Sequence, residues 1–185
     1  MAKVYVHLAS GFEEMEAVTI CDVLRRAEIE VLMVSMTKGR GVTGSHGITV
    51  IADALFEDVG YDEAGMIVLP GGIPGSTNLS DHDGLKKQIS RFAEEGKYLA
   101  AICAAPLVYG KMGLLKGRQA ACYPGFENYL EGAELTRERV VHHQNFITSR
   151  GPGTALEFSL KLVEILKGRD TAVKIAEGML ASGGV

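Results

Sequence analysis

The sequence predicts an α/β fold in which a mostly parallel sheet carries helices on both faces. Three observations lead there: short apolar runs of strand length recur, longer segments of helical period separate them, and glycine-rich joints mark the transitions. The 185 residues are 46% hydrophobic and 23% charged, which suits one soluble globular domain over 1–185 with a core that needs no disulfide or metal staple. A formal charge of -4 gives no attraction toward phosphate backbones or anionic lipid, so neither nucleic acid nor a membrane is expected as a partner. No apolar run approaches the roughly 20 residues of a spanning helix. Met1-Ala2-Lys3 enters an alternating segment without a signal-peptide core, and a cytoplasmic protein is expected.

The first strand is Lys3 to Leu8, and a loop through Gly11-Phe12 leads to a helix from about Glu14 to Ala27. That helix places Ala17, Ile20, Cys21 and Leu24 on one stripe, so Cys21 reads as core. Val31 to Val34, apolar at consecutive positions, reads as a strand covered on both faces. Val42 to Ile51, with Gly44-Ser45-His46-Gly47 in its middle, is expected to form a hairpin on the sheet's edge. Gly65 to Leu69 is a third central strand whose exit, Pro70-Gly71-Gly72-Ile73-Pro74-Gly75, could turn backbone N–H groups toward a ligand or be an ordinary tight loop. Ser80 is the expected cap of a helix from Asp81 to Glu95 with Leu85, Ile89 and Phe92 inward.

A strand through Ile102 is followed without spacer by a helical stretch whose first turn tolerates Pro106. Beyond it the sequence predicts a strand at Gln119 to Tyr123, a short helix near Phe126 to Leu130, and two strands at Arg139 to His142 and Phe146 to Thr148. A helix from Thr154 to Lys167 ends at Gly168, read as a left-handed cap, and Asp170 is the expected cap of a last helix to about Leu180.

Three cysteines, Cys21, Cys103 and Cys122, make neither an even disulfide framework nor a Cys-x-x-Cys pair, and no Cys/His spacing matches a structural zinc site. Each could be a small buried apolar residue. Cys103 differs because it falls on the joint between a central strand and a helix, where a nucleophile projects into the crevice at the strands' carboxyl ends. Unpaired N–H groups and the helix dipole there are expected to lower its pKa below the free-thiol value of about 8.5. Ala101, Ala104 and Ala105 leave the sulfur room, whereas Cys122 lacks this setting.

Four motifs in order, Gly11-Phe12-Glu13-Glu14-Met15-Glu16, Val68-Leu69-Pro70-Gly71-Gly72, Ala101-Ile102-Cys103-Ala104-Ala105-Pro106 and Thr148-Ser149-Arg150-Gly151-Pro152-Gly153-Thr154, resemble the ThiJ/PfpI superfamily. The likeness is nearest the branch of DJ-one, the parkinsonism-associated protein, and its bacterial relatives. It covers nearly the whole chain and implies a flavodoxin-like three-layer sandwich of the class I glutamine amidotransferase-like type, a homodimer, and no cofactor or metal. It implies further that Cys103 is a low-pKa thiol on a nucleophile elbow, that Glu16 is its acid partner, and that Gly72 and Ala104 supply backbone donors to an oxyanion, with Gly71 beside them. A carboxyl facing a thiolate in a partly dry site should hold its proton and donate it as a hydrogen bond. Glu14, by contrast, reads as a helix-start charge stabilised by the dipole.

Where many members carry a His before a Pro, this chain has Tyr123 before Pro124, and a phenol is a poor general base at neutral pH. His7, His46, His142 and His143 read as structural, and Arg150 is expected to order the site or a dimer contact beside it. The resemblance implies two functions of different class. One is cofactor-free glyoxalase or deglycase chemistry on α-oxoaldehydes or early glycation adducts; the other is a redox sensor or stress chaperone in which Cys103 becomes a sulfinate. Peptidase and amidotransferase readings are weaker, since Ala104 stands where those peptidases place a His and no late His-x-Glu pair exists.

Overall fold

The computed structural model describes residues 3–181, so the expectation for Met1-Ala2 lies outside the described residues. β1 (Lys3–Leu8) leads to α1 (Glu14–Arg26) and β2 (Val31–Ser35). A small hairpin of β3 (Gly41–Thr43) and β4 (Thr49–Ile51) follows, and then β5 (Ala54–Leu55) and β6 (Ala64–Leu69). Two helices, α2 (Gly75–Asp81) and α3 (Asp83–Glu94), precede β7 (Tyr98–Ile102) and the short α4 (Pro106–Lys111). The chain closes with β8 (Gln119–Ala120), β9 (Glu134–Leu135), β10 (Val140–His143), β11 (Phe146–Ser149), α5 (Ala155–Lys167) and α6 (Arg169–Gly178).

Seven strands form the central sheet in the order β10-β11-β7-β6-β1-β2-β5, all parallel except β10. β1 and β6 lie in the middle, with Tyr5 beside Ile67 and Val6 beside Val68, and the residues of both strands from Val4 and Met66 onward are buried. That two-sided burial is why these runs are apolar at consecutive positions. From β1 the chain crosses through α1 to β2 on one side; from β6 it crosses through α2 and α3 to β7 on the other. α1 packs on α5 and α5 on α6, whereas α2 packs on α3 and α4, giving the two helical layers. The strand order therefore reverses between β1 and β6, and the crevice at their carboxyl ends is where open α/β sheets receive ligands. No helix among the described residues is long and apolar enough to cross a membrane.

Several boundaries differ from the sequence reading. The hairpin is not on the edge of the central sheet: β3 and β4 pair only with each other, and β5 takes the edge. Its turn docks instead on the start of α1, with Gly11 N–H donating to Thr43 O and Ser45 N–H to Phe12 O. Ser80 lies buried inside α2, and the helical segment breaks at His82, whose Nδ1 accepts the Leu85 N–H (3.0 Å) as the cap of α3. β8 stops at Ala120 because the next donors leave the ladder, Ala121 N–H going to Thr148 Oγ1 and Tyr123 N–H to Cys103 O. The expected short helix after it is a single 3-10 turn at Glu127–Tyr129. Gly168 takes a positive φ of 87° with extended ψ rather than the left-handed helical geometry; it also begins α6, so Asp170 sits within the first turn and is not the cap.

His7 is fully buried in β1 and hydrogen-bonds through Nε2 with the Tyr61 hydroxyl (2.7 Å). Burial drives its pKa from 6.5 down to about 3, so the folded protein excludes a proton that the unfolded chain takes up between those values. Stability contributed by neutral His7 is present above pH 6.5 and is lost as pH falls toward 3. His7→Gln, which keeps a hydrogen-bonding group but cannot titrate, should flatten that acid limb; urea unfolding of both proteins at about pH 7 and about pH 4 reads the difference.

Candidate active site

Three strand ends build the site. Beyond β1, Glu13 caps α1, its Oε2 accepting the Glu16 N–H (2.6 Å), while its own N–H donates to Gly71 O beyond β6 (2.9 Å). These two bonds aim the first turn of α1 at the β6 exit. Glu16 consequently points inward and is fully buried, and Gly71 N–H donates to its Oε2 (2.7 Å). The other oxygen, Oε1, has no N–H or O–H donor among the described residues, and the Cys103 thiol is in hydrogen-bonding reach of the carboxyl.

Cys103 follows β7 with φ +64°, a conformation that costs a side-chain-bearing residue about 1–3 kcal/mol unless its surroundings impose it. Both of its backbone groups are engaged: its N–H donates to Ser149 O at the end of β11 (3.0 Å), and its carbonyl accepts from Tyr123 N–H (2.8 Å). The N–H groups of Gly72 and Ala104 are directed at the sulfur. A Cβ on Gly71 would lie 2.5 Å from Cys103 Cβ, 2.8 Å from Glu16 Oε2 and 3.0 Å from Cys103 Sγ, so only glycine admits this approach. Cys103 is buried, with 8% of its surface exposed.

Burial pushes Glu16 up to about 8. Burial and, after it, the negative charge of an ionised Glu16 push the Cys103 thiol up to about 12, against the pull of the Gly72 and Ala104 N–H groups. The expected depression below the free-thiol value thus does not follow from the elbow alone: α4 has six residues, and the sulfur has left water. A proton on Glu16 removes the repulsion and makes the carboxyl a donor. Formation of a thiolate therefore depends on the protonation state of Glu16 and not on the cysteine by itself.

Comparison with known proteins identifies the family. The model of the DJ-1/PfpI family matches residues 2–165. The chain belongs to the DJ-1/PfpI family. It is 42% identical to DJ-1 homolog B of Arabidopsis thaliana over 176 residues, 94% of this chain but 40% of that protein, so it spans less than half the length of that relative. It is 34% identical to a deglycase of Pyrococcus abyssi, covering 89% of this chain and 99% of that one. The structure of oxidized Toxoplasma gondii DJ-1 superposes with a TM-score of 0.95 at 38% identity, covering 99% of this chain and 100% of that one. The flavodoxin-like α/β architecture of this DJ-1/PfpI chain is thereby shared with solved relatives.

Other residues singled out in this family member have settings of their own. Tyr123 contributes its backbone N–H; its ring, 45% exposed, packs on Phe126 and beside Gly151, and its hydroxyl makes no hydrogen bond among the described residues. Arg150 makes no side-chain hydrogen bond or ion pair among the described residues and lies near Cys122. Glu14 is more than a helix-start charge. Its buried carboxylate accepts from the His46 N–H (2.7 Å), His46 Nδ1 (2.9 Å), Ile48 N–H (3.3 Å) and Ser45 Oγ (3.4 Å), bonds that overcome burial and hold its pKa near about 2. Glu13, Glu14 and His46 also bring ligand atoms within 4.8 Å of one another, but these acceptors are already spent on the cap and the hairpin turn. His143 and His142 are pairing residues, bonded to Gln119 N–H and Gln144 O. Burial pushes Cys21 up to about 12, as befits a core thiol, and Cys122 up to about 11.

Glu13 is the functional neighbour missed in the sequence. Its spacing to Glu16 is that of a capping box, a pattern that identifies the cap when Glu is admitted at the first position.

Gly71→Ala should lose about 1–3 kcal/mol through overpacking and change the Cys103 alkylation rate. Gly60→Ala, with open space at its Cβ, should stay within about 0.5 kcal/mol. Denaturant midpoints with iodoacetamide mapping by peptide mass read both. Because the folded-state pKa of Glu16 is raised from 4.5 to about 8, the folded protein holds a proton that the unfolded chain releases across that window, and stability falls as pH rises through it. Glu16→Gln should remove this slope, so that the variant gains on wild type between about pH 5 and about pH 8 in thermal melts.

Proposed function

We propose that the chain is a cofactor-independent stress enzyme that acts on α-oxoaldehydes, and on early adducts they form with proteins, through Cys103 and Glu16. The observation that carries this reading is the fully buried Glu16 carboxyl, its pKa pushed up to about 8, within reach of a thiol at a positive-φ elbow. A carboxyl poised near neutral pH can both give and take a proton in one catalytic cycle. The deglycase name of the Pyrococcus relative supports the same chemistry.

With methylglyoxal, the Cys103 thiolate adds to the aldehyde carbon while Glu16 delivers its proton to the carbonyl oxygen, giving a neutral hemithioacetal and a carboxylate. The N–H groups of Gly72 and Ala104, directed at the sulfur, stand beside the oxygen as charge develops on it. The Glu16 carboxylate next takes the proton from that carbon and returns it to the neighbouring one, while the hydroxyl proton passes to the former ketone oxygen, turning the hemithioacetal into a lactoyl thioester. Water cleaves the thioester, releasing lactate and a proton, and the proton left on sulfur returns to Glu16 to restore the starting pair; the net reaction adds one water to methylglyoxal. Tyr123 takes no proton in this scheme.

The proposal includes a homodimer working in the cytoplasm, where thiols stay reduced. α1 and the hairpin, joined through Glu14, expose Met15 (63%), Val18 (50%), Ile48 (58%) and Ile51 (64%), an apolar surface of the kind that a partner covers. A second reading, redox sensing, is favoured by the oxidized state named for the Toxoplasma relative. There the Cys103 thiol would consume two molecules of peroxide, yielding a sulfinate and two waters, with the sulfinate held by the same donors.

Lactate formation from methylglyoxal separates the two. Cys103→Ser should abolish turnover, and Glu16→Gln should lower kcat by about 100- to 10,000-fold while leaving Cys103 open to alkylation and peroxide. Wild-type turnover in Glu16→Gln removes the proton shuttle. No lactate from wild type, together with stoichiometric sulfinate by mass, replaces the enzyme with the sensor.

A further inference from the structure

A cavity adjoins the elbow. It has a volume of about 380 Å³ and is walled by Cys122, Glu127, Thr136, Arg137 and Arg150. Its two guanidiniums are unusual in this molecule. Arg25, Arg26, Arg40, Arg91, Arg118 and Arg139 each donate to a carboxylate or a backbone carbonyl. Arg137 and Arg150 make no hydrogen bond and no ion pair among the described residues, although they share one cleft. The single carboxylate in the wall, Glu127, turns one oxygen to its own loop, where Oε2 accepts the Gly125 N–H (2.7 Å). Two cations against one acid leave the cleft positive inside a chain whose net charge is -4.

We propose that this cleft is a binding site for a small oxyanion, the carboxylate or phosphate group of a small molecule, held between Arg137 and Arg150 with Thr136 beside them. Guanidinium forks match planar and tetrahedral oxyanions through paired N–H donors, and a cleft with exposed walls admits them without a conformational change. The cleft is also wired to the elbow. Arg150 follows Ser149, whose carbonyl accepts the Cys103 N–H, and Tyr123, set between Cys122 and Pro124, donates to the Cys103 carbonyl. Both backbone bonds that hold Cys103 thus start one residue away from the cavity wall. An anion drawn between the two arginines would brace the segments that carry those bonds.

The test is a titration of the isotopically labelled full chain with inorganic phosphate and, separately, with succinate, at constant ionic strength set with chloride, following backbone amide shifts. Saturable shifts at Cys122, Thr136, Arg137 and Arg150 are expected, with a Kd of about 1 mM or tighter for one of the two anions. The tighter anion identifies the source, phosphate ester or carboxylate. Arg137→Gln and Arg150→Gln should each weaken binding by about tenfold or more, the loss expected for a hydrogen bond to a charged group. Shifts that stay linear to about 30 mM for both anions, or binding that survives in Arg137→Gln unchanged, overturn the site. Arg137 is exposed, so its variant decides the matter even if Arg150→Gln fails to fold.

Discussion

A buried carboxyl without a counter-cation sits at the reversal of the strand order, and its neighbours are arranged to tolerate it. Glu16 receives one N–H from Gly71 and otherwise meets sulfur. Leaving a carboxylate in such a place costs several kcal/mol, so the group keeps its proton well above the ordinary range. The absent side chain of Gly71 lets carboxyl and thiol come together, and the cap from Glu13 fixes the helix that delivers the carboxyl. Remove any of these and the others have no reason for their geometry.

The same logic places the energetic burden on backbone rather than on side chains. Cys103 is held at positive φ by a carbonyl from β11 and an N–H from the segment after β8, two stretches far apart in sequence. The donors aimed at its sulfur are also backbone groups. A site built in this manner tolerates wide change in the surrounding side chains, Tyr123 included, provided that the chain path is kept. It is sensitive to changes at glycine.

The sheet was legible because strands covered on both faces must be apolar at consecutive positions, and Val4 to Leu8 or Met66 to Leu69 have few alternatives. Cys103 could be found from a strand running directly into Pro106, a local signal with one good geometric meaning. Glu16 was different. Glu13, Glu14 and Glu16 share one helix start and all are buried, yet only tertiary contacts distinguish a cap, a hairpin clamp and an acid; family resemblance, not pattern, singled out the last. The failed boundaries have a common cause. At the hairpin and after Ala120, polar groups from elsewhere in the fold captured the hydrogen bonds that local pattern had assigned to a regular element, and near Ser80 the His82 side chain, a local cap, restarted the helix.

The two ends of the central sheet are both brief. β5 offers two residues, and the preceding Asp53 turns its carboxylate inward to the Met33 N–H and to Arg25. At the far end the last strand, β10, runs antiparallel for four residues and has β8 packed beside it. A copy of the chain approaching along the sheet would find no long row of open amide groups on which to lay a strand. Growth into fibres by edge-to-edge accretion therefore lacks a seam from which to start, even when many copies are crowded together.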